Sequence, residues 1–255
     1  MLTTPEVVSL LAVAVLGHAM ALFWHIAGKL QWKLCARKIY DLPINSEQIK
    51  RELRNSIHAP MHAVILAAFL LVGFFKNTTW ASFFYTALLT TAWAEIWHYF
   101  SHRAFHLRSL HWIHVEHHKS HLNSPITAIS FSFSEKLIFD FGILLPLAAL
   151  DVFINLNAFG IIAWYIGYLI INSFSHANFE FKSVGFNRWF GKVLTSTTYH
   201  SLHHSRYTGN YGLGTRLLDR LLRTEWDDYE VLYDQICREK RPLRKLREKA
   251  HESAV

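Results

Sequence analysis

The chain is poor in charged residues, cysteine and proline. Only 18% of its 255 residues are charged, and it has two cysteines and six prolines. Two cysteines, Cys35 and Cys237, exclude a small fold held by several disulfides. There is no internal repeat and no low-complexity linker, and we expect a single domain over residues 1–255, with a core at 80–225 and a basic tail at 226–255. We expect the tail's last stretch, 238–252, to be a solvated helix or a frayed end.

The chain has long apolar runs instead. Five runs carry few or no charges: residues 7–26, 60–75, 80–97, 141–150 and 153–174. A run of about twenty apolar residues spans a bilayer, whereas one of about ten to fourteen usually does not. We therefore predict spans at 7–26, 80–97 and 153–174, a borderline span at 60–75, and a re-entrant segment or hairpin limb at 141–150. The first run follows MLTTPE, which lacks a basic residue, and is expected to be a retained span rather than a signal peptide.

Basic residues are unevenly placed along the chain. The formal net charge is +7, and almost all Lys and Arg lie at 29–54, in the histidine-rich segments, or after Arg216. Five crossings from an outside amino terminus would put these regions on one face, which fits the positive-inside rule. We therefore expect an integral protein of a bacterial inner membrane or the endoplasmic reticulum, with its histidines on the cytoplasmic side. Membrane topology explains the basic charge better than nucleic-acid binding does. We therefore expect no nucleic-acid partner.

Histidine is concentrated in two polar stretches. Of the 17 histidines, 12 lie between 98 and 204, and none of those falls at 122–175. Residues three or four apart share one face of a helix. The first stretch holds two such stripes that do not superpose on one straight helix: His98, His102 and His106, then His111, His114, His117, His118 and His121. We predict a helix break near residues 107–110, with Ser109 capping the second helix.

The second stretch repeats the spacing in HSLHH, which contains His200, His203 and His204, and His176 stands alone in SHANFE. Glu95 shares the face of the first stripe. It is a candidate metal ligand or a carboxylate that holds a ligating histidine in place, or else a buried carboxylate satisfied by a neighbouring helix.

Histidines outside these stretches have simpler interpretations. His58 and His62, near the start of the second run, are interpreted as interfacial first and as functional second. His18 and His25 share a face of the first run and are expected to hydrogen-bond within the bundle or at its edge.

Three causes could collect so much imidazole: chance, a pH switch or a metal site. Chance would not confine the histidines to two stretches. A pH switch needs one or a few titrating imidazoles, and a structural zinc site closes with four ligands. The three boxes supply eight, which suits a pair of divalent ions with open positions. Imidazole accepts iron, zinc, copper or nickel, so the ligands alone do not name the metal.

Three motifs in order resemble a known family. HYFSH at His98, HVEHH at His114 and HSLHH at His200 resemble the three histidine boxes of the fatty acid hydroxylase/sterol desaturase superfamily, which are membrane-embedded non-haem diiron oxygenases. The connector HRAFHLRSLHWIHVEHH, the isolated SHANFE and the closing HHSRYTGNYGLGTRLLDRL are similar as well. The resemblance covers roughly residues 80–225. One departure is Arg223, where the family commonly has glycine after DRL and one further residue.

The resemblance implies a ligand set and a reaction. Nine histidines would hold two irons: His98, His102, His114, His117, His118, His176, His200, His203 and His204. His106 and His121 are lesser candidates. The irons would activate O2 to hydroxylate or desaturate a lipid, which makes the protein a monooxygenase-type oxidoreductase. We expect electrons to come from a separate protein, such as cytochrome b5 or a ferredoxin.

The expected fold is all-α: a multi-pass membrane protein of four or five spans or half-spans, with a cytoplasmic histidine-rich helical cap. Two other functions stay open. A zinc-dependent membrane hydrolase would have fewer ligands and a carboxylate base, for which Glu95 is the candidate. A divalent-metal transporter would have ligands at mid-membrane depth.

Overall fold

The computed structural model describes residues 1–250, over which the chain is all-helical, as predicted. Five helices form a bundle: α1 (Thr4–Lys29), α3 (Met61–Val72), α4 (Trp80–Phe105), α6 (Phe133–Ile154) and α7 (Ala158–Ser175). The shorter helices are α2 (Ser46–Asn55), α5 (His111–His118), α8 (Thr197–Arg206), α9 (Leu217–Leu221) and α10 (Tyr229–Arg238).

Polar side chains mark the starts of the bundle helices. Thr3 and Glu6 form a reciprocal capping box at the start of α1. Thr79, Ser132 and Asn157 each accept a backbone N–H at the starts of α4, α6 and α7. Each cap satisfies a backbone donor that the first helical turn leaves unpaired, so local sequence determines where these helices begin.

The bundle helices pack in a closed ring, in the order α1, α3, α6, α4, α7 and back to α1. Their inward-facing apolar side chains form the main core, which includes Val13, Leu66, Ile143, Ile161 and Leu169. All five of these side chains are buried. Burial of such side chains removes apolar surface from solvent on the inside of the ring, while the outer faces of the helices remain apolar and exposed.

Four helical stretches are long and apolar enough to span a membrane: Thr4–Lys29, Ser46–Val72, Phe133–Ile154 and Ala158–Ser175. The predicted span at 7–26 is confirmed, and the borderline run at 60–75 begins inside the second stretch. The predicted span at 80–97 is helical but is not among the four. Tryptophan, threonine and Glu95 interrupt its aliphatic residues and lower its mean hydropathy.

The doubtful run at 141–150 lies inside α6, which has the length of a full span. α6 and α7 form a tight hairpin, so the span predicted at 153–174 starts later, at Ala158. Asn155 takes a left-handed conformation at the end of α6, with φ +50°. The Asp151 carboxylate accepts the backbone N–H of Leu156 at 2.5 Å and that of Phe75 at 2.8 Å, which ties the hairpin turn to the end of α3.

Successive bundle helices run in alternate directions, which gives the bundle two chemically different ends. At one end Lys76 lies 3.8 Å from Glu6, and the side chains of Asn77 and Tyr85 donate to the carbonyl of Asn155 at 2.9 and 2.7 Å. The opposite end is reached by the last turns of α1, α4 and α7 and the first turns of α3 and α6. All the segments of the histidine-rich stretches are attached there.

The segments after α7 build a second core at the histidine-bearing end. α8 is buried along its whole length, and Tyr199 and Leu202 pack with Tyr229 and Tyr233 of α10. Residues 239–250 form turns rather than the predicted solvated helix or frayed end. The buried Leu243 exchanges backbone hydrogen bonds with residues 39 and 41 and anchors them. Residues 251–255 of the predicted tail lie outside the described residues.

Candidate metal centre

Nine histidines come together in two adjacent clusters at this end of the bundle. The five-histidine cluster consists of His102, His106, His114, His118 and His203. The four-histidine cluster consists of His117, His176, His200 and His204. Within each cluster the potential ligand nitrogens all lie within 4.8 Å of one another. The clusters adjoin, with 4.7 Å between the ring centroids of His118 and His204.

Four separate segments supply the nine imidazoles: the end of α4, α5, the residue after α7, and α8. Adjacent residues on a helix point about 100° apart, so His117 and His118 of α5 enter different clusters. The predicted helix break is confirmed, since α4 ends at Phe105 and α5 begins at His111. The predicted cap is wrong, because Leu110 rather than Ser109 holds the N-cap position and makes no side-chain hydrogen bond.

Six of the nine imidazoles are held through Nδ1 by an oxygen acceptor, at 2.5 to 3.0 Å. The pairs are His102 with the Tyr211 carbonyl, His114 with the Glu135 carboxylate, His117 with the Ser130 carbonyl, His176 with the Asn172 carbonyl, His203 with the Gly209 carbonyl and His204 with the Ser120 carbonyl. A carbonyl oxygen can only accept, so Nδ1 carries the proton in the five rings that backbone carbonyls hold. Each Nε2 is thereby left as a free lone pair.

The Nε2 atoms converge on one another. The Nε2 atom of His176 lies 3.3 Å from that of His117 and 3.2 Å from that of His204, and all three of these rings are tethered through Nδ1. Lone pairs that face each other at this distance repel, unless a cation lies among them. The buried Nε2 atom of His102 also has no hydrogen-bond partner among the described residues. Metal-binding histidines are typically tethered through one ring nitrogen while the other is free to coordinate. The histidines of both clusters therefore fit bound metal ions.

Burial keeps these imidazoles neutral. Desolvation, reinforced by neighbouring histidines, holds the pKa values of His114, His118 and His203 well below the ordinary value of about 6.5. The same burial lowers the pKa of His176 to about 4 and that of His106 to about 2. Since neutral imidazole is the form that coordinates metals, both clusters are ready for ions at neutral pH.

The closing NYG and DRL motifs have a structural role beside the clusters. The carbonyls of Gly209 and Tyr211 orient His203 and His102. Asp219 accepts the backbone N–H groups of Tyr211 and Gly212 at 2.9 and 2.7 Å and so fixes this loop. Arg223 adopts φ +54°, a left-handed conformation that favours glycine, which accounts for the glycine that the family commonly has here. Nothing in the described residues explains the arginine of this chain.

Three of the candidate ligands lie in different places relative to the two clusters. His98 is in neither cluster, because it lies one helical turn further from the cap. The centroid of its ring is 5.0 Å from that of His102, and the residue lines a cavity. His106, a lesser candidate, joins the five-histidine cluster, where the ring of Tyr207 packs on it at 5.0 Å. His121 is exposed and outside both clusters, because α5 ends at His118.

The carboxylate that contacts a histidine of the clusters is Glu135, which sequence reasoning missed. Glu95, the predicted partner, accepts the backbone N–H and the hydroxyl of Thr215, both at 3.0 Å, and no hydrogen bond among the described residues joins it to a histidine. Glu135 accepts from Nδ1 of His114 at 2.5 Å. The signal available in the sequence was the pair Glu135-Lys136 at the start of an apolar run, where ionisable residues are costly and usually functional.

A second buried polar group lies close by. The interfacial interpretation of His62 was wrong, because His62 is fully buried and its Nδ1 meets the Asp140 carboxylate at 2.6 Å. Its Nε2 meets the Lys136 ammonium at 2.6 Å, and the Tyr165 hydroxyl donates to Asp140 at 2.9 Å. These four side chains come from α3, α6 and α7.

Two cavities adjoin each other beside the clusters. The first is lined by histidines of both clusters together with His98, Glu135 and Lys136. The second, of about 260 Å³, lies between α4 and α7 and is largely apolar, with Ala163 and Gly167 in its wall. Four side chains line both cavities: His98, Phe139, Tyr168 and Leu213. The arrangement can bring an apolar chain from the bundle to the two histidine clusters.

Several known proteins are similar in sequence to this chain. Very-long-chain aldehyde decarbonylase GL1-4 of Oryza sativa subsp. indica is 30% identical over 154 residues, which is 58% of this chain and 25% of that protein. Protein CER1-like 1 of Arabidopsis thaliana is 28% identical over 231 residues, 84% of this chain and 37% of that protein. Very-long-chain aldehyde decarbonylase CER1 of Arabidopsis thaliana is 29% identical over 211 residues, which is 78% of this chain and 33% of that protein.

The chain thus spans between a quarter and just over a third of the length of these relatives. No solved structure matches it significantly. The sequence model of the family described as Fatty acid hydroxylase matches residues 87–224, which is more than half of the chain and includes every histidine of both clusters. The chain therefore belongs to the fatty acid hydroxylase family of lipid-modifying, histidine-box enzymes, within the fatty acid hydroxylase/sterol desaturase superfamily.

Proposed function

We propose that this protein is an O2-dependent diiron enzyme that hydroxylates or desaturates an unactivated carbon of a membrane lipid. The observation that carries the proposal is the double cluster of nine histidines with converging ring nitrogens. A structural zinc site needs four ligands, so two adjacent sets favour two ions. Two irons with open positions would supply O2 activation, for which amino-acid side chains have no reagent.

The chain's own residues supply orientation and a dry site. Backbone carbonyls and Glu135 hold the rings through Nδ1 in fixed directions, so little reorganisation is needed when ions bind. Phe139, Tyr168 and Leu213 line the junction of the two cavities. Such side chains exclude water from the site where a C–H bond would react.

The apolar cavity between α4 and α7 supports a lipid substrate with a long hydrocarbon chain. It is bounded by helices of the bundle, and four helical stretches of the chain fit a membrane protein. Electrons would come from a separate protein such as cytochrome b5 or a ferredoxin. We place the histidine-bearing end on the cytoplasmic side, because most Lys and Arg are in segments attached to that end.

A second candidate reaction is the conversion of a long-chain aldehyde with loss of its carbonyl carbon. The names of the relatives describe aldehyde decarbonylases, and the similarity to CER1 extends over 78% of this chain. The reaction would use the same clusters and the same apolar cavity, so it differs from the first proposal in the substrate's polar end.

The two other functions open from the sequence receive less support. A zinc hydrolase would use Glu95 as its base, yet that carboxylate is engaged by Thr215. A metal transporter would place its ligands midway along the bundle, whereas the clusters lie where α4 and α7 end.

The test combines metal analysis with lipid analysis. Protein purified in detergent should contain about two iron ions per chain, and cells that express it should accumulate an oxygen-dependent lipid product. His204→Ala, in the four-histidine cluster, should lose iron and product, whereas the matched control His121→Ala, an exposed histidine outside both clusters, should retain both. Near-stoichiometric zinc without an oxygen-dependent product would contradict the proposal. A hydrocarbon one carbon shorter than a supplied aldehyde would favour the second candidate reaction.

A further inference from the structure

The Lys136 ammonium is an unusual feature of the first cavity. Lys136 lies in the first turn of α6, is 3% exposed, and lines the same cavity as histidines of both clusters. A buried cation in a helix of span length is costly unless it is paired or functional. Its pairing is indirect, because the ammonium meets the Nε2 atom of His62 rather than a carboxylate.

The surrounding groups fix the direction of this ammonium. An ammonium can only donate, so Nε2 of His62 accepts and Nδ1 of His62 donates to Asp140. Tyr165 donates to the same carboxylate oxygen. Asp140 is four residues after Lys136 on α6, yet the described hydrogen bonds connect the two through His62 of α3. The hydrogen bonds from Lys136 to His62 and from His62 to Asp140 therefore hold the ammonium from one side.

The other side of the ammonium faces the metal centre. Lys136 Nζ lies 4.3 Å from the centre of the Phe131 ring, and the same ring stacks on His117 at 4.3 Å. An ammonium has three N–H donors, and the described residues provide one hydrogen-bond partner, His62. Two donors are thus left for an acceptor that enters the cavity beside the four-histidine cluster.

We propose that Lys136 binds the carbonyl oxygen of a long-chain substrate, and that the apolar cavity between α4 and α7 holds the hydrocarbon chain. The inference rests on the proposed lipid-oxidising function and names the substrate's polar end. Glu135 lines the same cavity, and its Oε2 atom is buried without a partner among the described residues. A substrate carboxylate would place a second acidic group beside Glu135, and two carboxyl groups that share one buried site cannot both ionise, whereas a neutral carbonyl meets no such penalty. A fatty aldehyde has the required combination of a neutral carbonyl and a long chain.

Reductive trapping tests the contact without relying on turnover. The full chain in detergent is incubated with hexadecanal and sodium cyanoborohydride. The lysine amine and the aldehyde condense to an imine with loss of water, and hydride from the borohydride plus a proton from water reduces it to a secondary amine. Mass spectrometry should find the alkyl adduct on Lys136 in preference to Lys119, whose side chain is 49% exposed. Modification of Lys119 with an unmodified Lys136 would overturn the proposal.

Competition separates a neutral carbonyl from a carboxylate. Methyl hexadecanoate should protect Lys136 from the adduct more strongly than hexadecanoate does. Equal or stronger protection by the acid would overturn the choice of a neutral carbonyl end.

Kinetics provide an independent arm. A hydrogen bond from a charged donor typically changes binding by about tenfold to about a hundredfold, so Lys136→Met should raise the KM for hexadecanal by that factor with unchanged metal content. Lys136→Arg, which keeps a cationic donor, should restore part of the affinity. An unchanged KM in Lys136→Met would count against the contact.

The two proposals fail in different ways. Trapping at Lys136 in a protein that forms no oxygen-dependent product would leave the carbonyl site standing and remove the oxygenase function. An active iron enzyme with an unmodified Lys136 would support the oxygenase function and remove the carbonyl site.

Discussion

The two histidine clusters share α5 and α8 but differ in the segment that completes each of them. His176 completes the four-histidine cluster, and its Nδ1 donates to the Asn172 carbonyl in the last turn of α7 at 2.8 Å. The end of α4 completes the five-histidine cluster with His102, which the Tyr211 carbonyl holds, and with His106. Neither ring nitrogen of His106 has a hydrogen-bond partner among the described residues.

The difference shows that a count of histidines is a poor guide to which ones are essential. Imidazole sites commonly close with four ligands, so the four-histidine cluster has none to spare. The five-histidine cluster contains one more than that, and its least constrained member is His106. The two clusters should therefore respond unequally to the loss of one ring.

The largest expected effect comes from removal of one ligand in each cluster. His176→Ala leaves three imidazoles in its cluster and should lose about one metal ion per chain, together with most of the activity. His106→Ala leaves four tightly placed rings and should retain nearly all of its metal. Elemental analysis of the purified variants measures this directly. Equal metal loss in both would show that the five-histidine cluster has no redundancy.

A smaller effect is expected when a tether rather than a ligand is changed. Glu135→Gln keeps an oxygen acceptor for Nδ1 of His114 but replaces the carboxyl group with an amide. Loss of such a partner typically lowers metal affinity by about tenfold to about a hundredfold. Competition with a chelator measures the change, which should be confined to one of the two ions.

The matched control for that variant is Glu95→Gln, which removes a buried carboxylate on Thr215 without touching a histidine. Its metal affinity should equal that of the unmodified protein. A loss as large as in Glu135→Gln would indicate a general loosening of the cap, not an effect through His114.

The smallest effect concerns a residue that touches neither cluster. Arg223 has φ +54° after the DRL motif, and a left-handed conformation costs a non-glycine residue about 1–2 kcal/mol. Glycine removes that strain but adds entropy to the unfolded chain. Arg223→Gly should therefore raise the free energy of unfolding by up to about 1 kcal/mol, with unchanged metal in both clusters. A denaturant titration measures it, and a destabilised variant would mean that the arginine side chain makes a stabilising contact.

Much of the fold could be predicted from the sequence, because apolar runs and helical histidine spacing are local signals. The all-helical class, the first span and the break between the two histidine stripes all followed from such patterns. The tail at 239–250 could not be predicted, since its order depends on Leu243 pairing with residues about two hundred positions earlier in the chain.

The candidate site could likewise be predicted only in part from the sequence. The motifs indicated which segments would meet, but not which ring of the stripe His98, His102 and His106 would face the others. That depends on how far α4 extends past the bundle before α5 turns back. The carboxylates Glu135 and Asp140 were missed for a related reason, because their histidine partners are on other helices.

The order of the segments along the chain has a consequence for biosynthesis. α8 provides three of the nine rings, enters both clusters and emerges from the ribosome after every other contributing segment. A nascent chain that has produced α4, α5 and α7 therefore holds six imidazoles without a finished pocket. Ions can be captured in their final geometry only after the last hairpin is inserted and α8 has docked, which makes metal acquisition a late, post-insertion event.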